Sequence, residues 1–163
     1  MKKFNRNLLF SVFLILLFSI NLKAQIEDFK VGTTTRKMLV YAPLDIEPNR
    51  PLLISMHGMN QDIAYQQNQT KWEVVAKENN FVVVYPGGIN NFWDISGNSD
   101  IDFILAIIDE MSKRYSIDRE RVYLSGFSMG GMMTYHAATK IADKIAAFAP
   151  VSGYLMQGPN TNS

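Results

Sequence analysis

Short apolar runs alternate with amphipathic segments along most of the chain. Residues 52–56 and 81–85 are apolar runs that predict strands, and the second is continuous enough to indicate burial on both faces of a sheet. Residues 71–78 and 101–115 instead carry apolar side chains three and four positions apart, which predicts helices. Two kinds of element therefore follow one another along the chain.

The remaining pattern extends this alternation at both ends. Residues 26–31 and 36–41, separated by Gly32 and three threonines, predict an opening β-hairpin. A strand over 122–124, a helix over 131–138 and a last strand over 145–151 complete the series. Alternating strands and helices are typical of an α/β fold, with a mostly parallel sheet covered by helices on both faces.

Individual positions in the helices carry more specific expectations. The sequence Ser99-x-x-Asp102 predicts a capping box at the start of the second helix. The buried side of this helix is predicted to contain Ile104, Ile107, Ile108 and Met111. One face of the earlier helix is predicted to contain Trp72, Val75 and Ala76.

The first 24 residues have the pattern of a secretory signal peptide. Lys2, Lys3 and Arg6 precede an apolar run over 8–20, and Ala24 offers a small residue for cleavage before residue 25. An uncleaved membrane anchor is the alternative, although the run is shorter than the roughly 20 residues that span a bilayer comfortably. We expect a secreted or periplasmic protein with one domain over 25–163 and no stable membrane anchor after cleavage.

Composition excludes several other classes. The sequence contains no cysteine, so neither a lipid-anchored N-terminal cysteine nor a disulfide framework is available. The leader contains four basic residues and no acidic residue, and its removal lowers the formal charge from +1 to −3. Nucleic acid is not an expected partner, because binding it requires a basic surface.

Residues 126–130, Gly-Phe-Ser-Met-Gly, match the pattern G-x-S-x-G directly after a predicted strand and before a predicted helix. In a nucleophile elbow this pattern places a serine on a tight strand-to-helix turn with its hydroxyl exposed. The glycines two positions before and two positions after Ser128 are small enough for the strand and the helix to approach each other. The alternative is a glycine-rich turn without chemistry.

Two further loops are predicted at the carboxyl ends of the strands, where ligands bind in such sheets. The loop over 57–61 follows the strand 52–56. Acyl transfer needs two N–H donors for the developing oxyanion, and we expect these from Met129 and Met59, with Gly58 allowing close approach. The loop over 86–94 contains Phe92 and Trp93, which could stack on an acyl group or a sugar. For Trp93 the alternative is a ring that plugs the loop against the core.

Several motifs together resemble those of secreted polyhydroxybutyrate depolymerase-type esterases, which are related to the feruloyl and acetylxylan esterases. The motifs are HGMNQ at 57–61, VVVYPGG at 82–88, NFW at 91–93, RVYLSGFSMGG at 121–131 and IAAFAPVSGY at 145–154. The resemblance implies an α/β-hydrolase fold, an acyl-enzyme on Ser128, and neither a metal nor an organic cofactor. It also implies that His57, Gly58 and Gln61 belong to the oxyanion loop. It does not decide whether the ester that is cleaved is a polyester, a cinnamoyl ester or an acetyl ester. The substrate could therefore be a small ester, a plant polysaccharide or a polyester.

The two histidines do not fit the role of the base. In this fold the order along the chain is serine, acid, histidine. His136 is the histidine after Ser128, but eight residues along a helix place it about 12 Å away. His57 belongs to the oxyanion loop, where we expect its ring to fix the loop geometry. Asp143 is expected to be a solvated residue or part of a turn.

The resemblance implies two more strands after residues 145–151, whose loops would carry the acid and the histidine. The chain instead continues into a polar tail over 157–163, and the last strand would form an exposed apolar edge. We therefore expect the N-terminal portion of a longer esterase that is nearly inactive alone. The alternatives are a non-catalytic carbohydrate-binding module, a hydrolase fragment that is complemented in trans, and a serine peptidase.

Overall fold

A six-stranded mixed sheet lies at the centre of the computed structural model, which describes residues 26–156. The predicted signal peptide over 1–24 and the polar tail over 157–163 lie outside the described residues. The strands are β1 (Ile26–Val31), β2 (Thr34–Tyr41), β3 (Leu52–Met56), β4 (Val82–Pro86), β5 (Val122–Phe127) and β6 (Ala147–Val151).

The strand order is β1-β2-β4-β3-β5-β6. The last four of these are parallel to one another, whereas β2 runs antiparallel to both β1 and β4. The opening hairpin is therefore confirmed, with Gly32 at φ 57° in a two-residue turn that needs glycine at its first position. The carboxyl ends of β3, β4 and β5 meet at one edge of the sheet.

Helices cover both faces of the sheet, as expected for an α/β fold. They are α1 (Ile63–Thr70), α2 (Trp72–Asn79), α3 (Ser99–Tyr115) and α4 (Met129–Lys140), followed by a 3₁₀ turn over Ala142–Lys144. Successive residues of β4 enter opposite hydrophobic clusters: Val82 and Val84 join one, while Val83 and Tyr85 join the other. All four are fully buried, which explains why this strand is an unbroken apolar run.

The apolar stripe of α3 is confirmed, because Ile104, Ile107, Ile108 and Met111 are all buried. Each such side chain contributes about 1.5–3 kcal/mol when it leaves water, so this stripe is a main attachment of α3 to the sheet.

Two expectations about the helices were wrong, and one helix was not predicted. Ser99 does not cap α3: it is the first helical residue, Asn98 occupies the N-cap, and neither forms a capping box. The Ser99 N–H and hydroxyl instead donate to the carboxylate of Asp94, which lies before the helix. These two groups are therefore not available for a capping box with Asp102. Val75 is 40% exposed, so Ala76 is the buried residue of α2. The pattern also did not predict α1, which contains few apolar residues.

The last strand, β6, is the outermost strand on one side of the sheet, and it begins two residues later than predicted. Its Phe148 and Val151 side chains are exposed, and within residues 26–156 no further strand pairs with its outer side. No helix over the same residues is long and apolar enough to span a bilayer.

Candidate active site

Ser128 lies on a strained turn between β5 and α4. Its backbone has φ 51° and ψ −113°, a combination that costs a residue other than glycine roughly 1–3 kcal/mol. The turn leaves no room for side chains beside it. A Cβ on Gly126 would overlap the Gly130 carbonyl, and one on Gly130 would lie 2.6 Å from the His57 carbonyl oxygen. The two glycines are therefore required for β5 to turn directly into α4.

The surroundings hold the backbone of Ser128 in place and leave its side chain available. The Ser128 N–H donates to the Val151 carbonyl at 2.8 Å, and the Ser128 carbonyl accepts from Met132 at 3.0 Å as the first helical bond of α4. The residue is half-buried, and its hydroxyl makes no hydrogen bond to any described residue. The hydroxyl lies at the edge where the parallel strands end.

Two backbone N–H groups near this edge are unpaired within residues 26–156. Met129 is the first residue of α4, so its N–H has no acceptor inside the helix. Met59 lies in the loop after β3, and its N–H likewise has no acceptor among the described residues. Its side chain is 54% exposed. Both loops join the same sheet edge, and the start of α4 packs directly on the end of β3 at Gly130.

Gln61 closes the loop that contains Met59. Its side-chain oxygen accepts from the Gly58 N–H at 2.8 Å, and its own N–H donates to the Gly58 carbonyl at 3.1 Å. A Cβ on Gly58 would lie 2.8 Å from that side-chain oxygen and 3.1 Å from the Phe127 ring. Gly58 therefore allows the loop to pack against the residue that precedes the serine.

The His57 ring joins this loop to the loop after β4. Nε2 accepts the Gly88 N–H at 3.0 Å, so the proton lies on Nδ1, which contacts the Gly58 carbonyl at 2.7 Å. The side chain is fully buried, and this desolvation lowers the pKa of His57 although the Gly58 carbonyl raises it. Both ring nitrogens are therefore engaged: Nε2 joins the two loops, and Nδ1 stays within the loop after β3.

Trp93 is 3% exposed and belongs to the main hydrophobic cluster. Its Nε1–H donates to the His57 carbonyl at 2.7 Å, and the two rings lie 4.8 Å apart between centroids. This burial favours the alternative in which the Trp93 ring plugs the loop against the core, because the ring presents no open face on which a substrate could stack. Phe92 is 41% exposed and remains available for contact.

A buried ion pair that the sequence pattern did not reveal supports the loop after β4. Arg36 and Asp100 are 2.5 Å apart, with both side chains 3% exposed. Arg36 also donates to the Gly87 carbonyl at 3.1 Å, and Asp100 accepts the Asp94 N–H at 2.6 Å. Both ends of the loop are therefore tied to one pair of charges. The available signal was the position of Arg36 on the same face of β2 as Met38 and Val40, because a charge on an apolar face needs a partner.

The other polar residues considered from the sequence lie apart from the serine. His136 contacts the Gly97 carbonyl through Nε2 at 2.7 Å. Asp143 is exposed in the 3₁₀ turn and pairs with Lys144 at 2.9 Å. Within residues 26–156, no three acidic or histidine side chains converge in a way that could hold a metal ion.

Comparison with known proteins connects this geometry to esterases. Residues 94–163 match the family described as Phospholipase/Carboxylesterase. The chain is 58% identical over 120 residues to a bifunctional acetylxylan esterase/xylanase of Neocallimastix patriciarum, covering 72% of the chain and 18% of that protein. It is 28% identical to feruloyl esterase B of Thermothelomyces thermophilus, covering 79% of the chain and 48% of the relative. It is 30% identical to poly(3-hydroxyalkanoate) depolymerase C of Paucimonas lemoignei, covering 79% and 34%.

A solved structure shares the fold. The acetyl xylan esterase from Aspergillus awamori superposes with a TM-score of 0.67 at 19% identity, over 76% of this chain and 50% of the other. The chain therefore spans half or less of the length of these relatives. The expected fold class, that of an α/β-hydrolase, is confirmed.

Proposed function

We propose that this chain carries the nucleophile half of a serine ester hydrolase. It has the α/β-hydrolase fold, and it resembles the acetylxylan esterases, feruloyl esterases and polyhydroxyalkanoate depolymerases. The observation that supports this most is the backbone of Ser128. A strained serine between a buried strand and a helix, flanked by two obligatory glycines, is the arrangement of a nucleophile elbow.

In the proposed reaction, the Ser128 oxygen attacks the carbonyl carbon of an ester and loses its proton to a base. The N–H groups of Met129 and Met59 then stabilise the negative oxygen of the tetrahedral intermediate. The bond to the alcohol breaks, the alcohol leaves with the proton, and an acyl-enzyme remains on Ser128. Water hydrolyses this acyl-enzyme and releases the acid.

We place the proton acceptor outside the 163 residues. His57 uses Nε2 to accept from Gly88 and Nδ1 to contact Gly58, so it has no free nitrogen for the serine. His136 lies about two helical turns along α4, roughly 12 Å from Ser128. Without a base, the oxyanion donors and substrate binding leave only a small residual rate over water. The chain alone is therefore expected to be nearly inactive.

The substrates that we propose are acyl esters of a plant polysaccharide, in line with the names of the relatives, and we propose export through the leader over 1–24. No metal or organic cofactor has a part in the proposed reaction. A polyester is the competing substrate, because one relative is named for that activity.

A fluorophosphonate probe tests the central proposal. The chain should react slowly at one position, and a Ser128→Ala variant should not react. Mass spectrometry of the labelled peptide locates the site. Labelling at a serine other than Ser128, or equal labelling of the Ser128→Ala variant, would contradict the assignment of the nucleophile.

A hydrolase fragment complemented in trans is a second candidate, favoured by the exposed outer side of β6. Phe148 and Val151 leave apolar surface there, next to strand groups that can pair with another strand. Adding the part of a related esterase that follows its matched segment should speed both fluorophosphonate labelling and p-nitrophenyl acetate hydrolysis. No change in either rate would count against complementation while leaving the Ser128 labelling result intact.

A further inference from the structure

A concave site lies near the proposed nucleophile but does not include it. It is a cleft of about 400 Å³ lined by Ile26 of β1, the start of β2, the start of α1 and the loop over 87–91. Its volume falls within the range of roughly 300–1,000 Å³ that is usual for ligand sites. Ser128 is not among the residues that line it, so the cleft is distinct from the position where an ester would be cleaved.

The cleft opens at the same sheet edge as Ser128. Because β2 runs antiparallel to β4, with Met38 opposite Pro86, the start of β2 lies where β4 ends. The order β2-β4-β3-β5 separates the cleft from the serine by two to three strands. At about 4.8 Å per strand this is roughly 10–15 Å, a distance that one extended substrate can cover.

Two neighbouring asparagines provide much of the polar lining. Asn90 and Asn91 are both exposed and have φ values of 51° and 64°. The backbone around them is fixed: the Asn91 N–H donates to the Gly88 carbonyl at 3.2 Å, and the Asn91 carbonyl accepts from Asn60 at 3.0 Å. Each side-chain amide offers donors and an acceptor to the cleft.

Both cations that line the cleft are already paired, because Arg36 forms the buried ion pair with Asp100. Lys37 pairs with Asp28 at 2.7 Å, and Asp62 caps α1 by accepting the Tyr65 N–H at 2.7 Å. An anionic ligand would therefore find no unpaired cation among the residues that line the cleft, and the second carboxylate oxygen of Asp62 stays free to accept a hydrogen bond. Ile63 adds a buried apolar wall, and Ile89 is 48% exposed at the rim.

These features fit a neutral, polyhydroxylated chain better than a polyester. Sugar hydroxyls both donate and accept, so they can pair with the amide oxygens and the free oxygen of Asp62 as well as with the amide N–H groups. A polyester offers only acceptors, and it would leave the asparagine and aspartate oxygens without partners. A ligand binds more weakly when it leaves polar groups of the site without hydrogen-bond partners.

We propose that this cleft binds the main chain of a polysaccharide ester while the acyl group lies at Ser128. This inference rests on the proposed function for the position of the cleaved bond. It also narrows the substrate, because it favours a carbohydrate ester over a polyhydroxyalkanoate.

Nuclear magnetic resonance tests the cleft without any hydrolysis. A ¹⁵N-labelled Ser128→Ala variant would be titrated with xylohexaose, which contains no ester, and in parallel with a 3-hydroxybutyrate trimer. Xylohexaose should shift the amide signals of residues 87–91. Asn90→Gly and Asn91→Gly should each raise its Kd about 3- to 10-fold, the loss expected for one hydrogen bond. Glycine suits both positive φ values, so neither change should strain the loop.

Asn49→Gly is the matched control, because Asn49 is also exposed, has φ 58° and lies at the opposite edge of the sheet, before β3. It should leave the Kd unchanged. The proposal is overturned if xylohexaose shifts no signal in 87–91, if the two cleft variants bind it as tightly as the control, or if the hydroxybutyrate trimer binds there equally well. Since the probe lacks an ester and Ser128 is replaced, these results are independent of the fluorophosphonate test.

Discussion

Replacing Ser128 by glycine is expected to give a more stable chain than replacing it by alanine. Both variants lose the hydroxyl and keep the N–H that donates to Val151. They differ in the backbone, because φ 51° and ψ −113° are accessible to glycine but strained for alanine.

The magnitude follows from two opposing contributions. Relief of the strain at Ser128 is worth roughly 1–3 kcal/mol. The greater freedom of glycine in the unfolded chain costs about 0.5–1 kcal/mol. The net difference in the free energy of unfolding should be about 1 kcal/mol in favour of Ser128→Gly, which corresponds to about 3 °C in Tm.

Urea denaturation followed by circular dichroism measures this difference, with the slope of unfolding checked for equality between the variants. Ser112 provides a control of opposite sign, because it lies within α3. There alanine should be more stable than glycine by about 1 kcal/mol. If Ser128→Ala proves as stable as Ser128→Gly or more so, the turn is not strained, and the strongest support for a nucleophile elbow is lost.

Three further predictions use the same denaturation assay. Gly130→Ala should lower the free energy of unfolding by about 3 kcal/mol or more, because the Cβ of the alanine would lie 2.6 Å from the His57 carbonyl oxygen. A loss below about 1 kcal/mol would show that the elbow can relax. Arg36→Met should lower the free energy of unfolding by about 3–5 kcal/mol, because it leaves Asp100 buried without a partner. The double variant Arg36→Met/Asp100→Leu should recover most of this loss. No recovery would contradict this account of the ion pair. Burial lowers the pKa of His57 below its ordinary value of about 6.5, so the unfolded chain binds this proton more readily. The free energy of unfolding should therefore fall as the pH decreases below about 6.5, by at most about 1.4 kcal/mol per pH unit. The His57→Gln variant should lack the part of this pH dependence that comes from His57. If the free energy of unfolding changes equally with pH in both chains between pH 7.5 and 5.5, this account of His57 is refuted.

The parts of the fold that the sequence pattern predicted are those where burial alone decides the structure. β4 is apolar throughout because both its faces are covered, and α3 shows its stripe because only one face is. The G-x-S-x-G pattern predicted a turn at Ser128, since its two glycines occupy positions that no other residue can fill.

The parts that were not predicted depend on contacts between distant residues. Helix α1 buries only Ile63 and Gln66, and Gln66 is held by a hydrogen bond to Ser55 that periodicity does not register. The pairing of Arg36 with Asp100 joins residues 64 positions apart. The cleft beside β2 likewise combines four segments, so no single stretch of sequence marks it.

The connection of two loops through one imidazole has a consequence for how this scaffold can diversify. The segment with Met59 and the segment with Asn90 share the His57 ring, which bonds to Gly88 and rests on Trp93. An insertion or exchange in either segment would pull the other out of place. Engineering a new specificity here therefore requires transplanting both segments as a single cassette, while the turn at Ser128 can be left untouched.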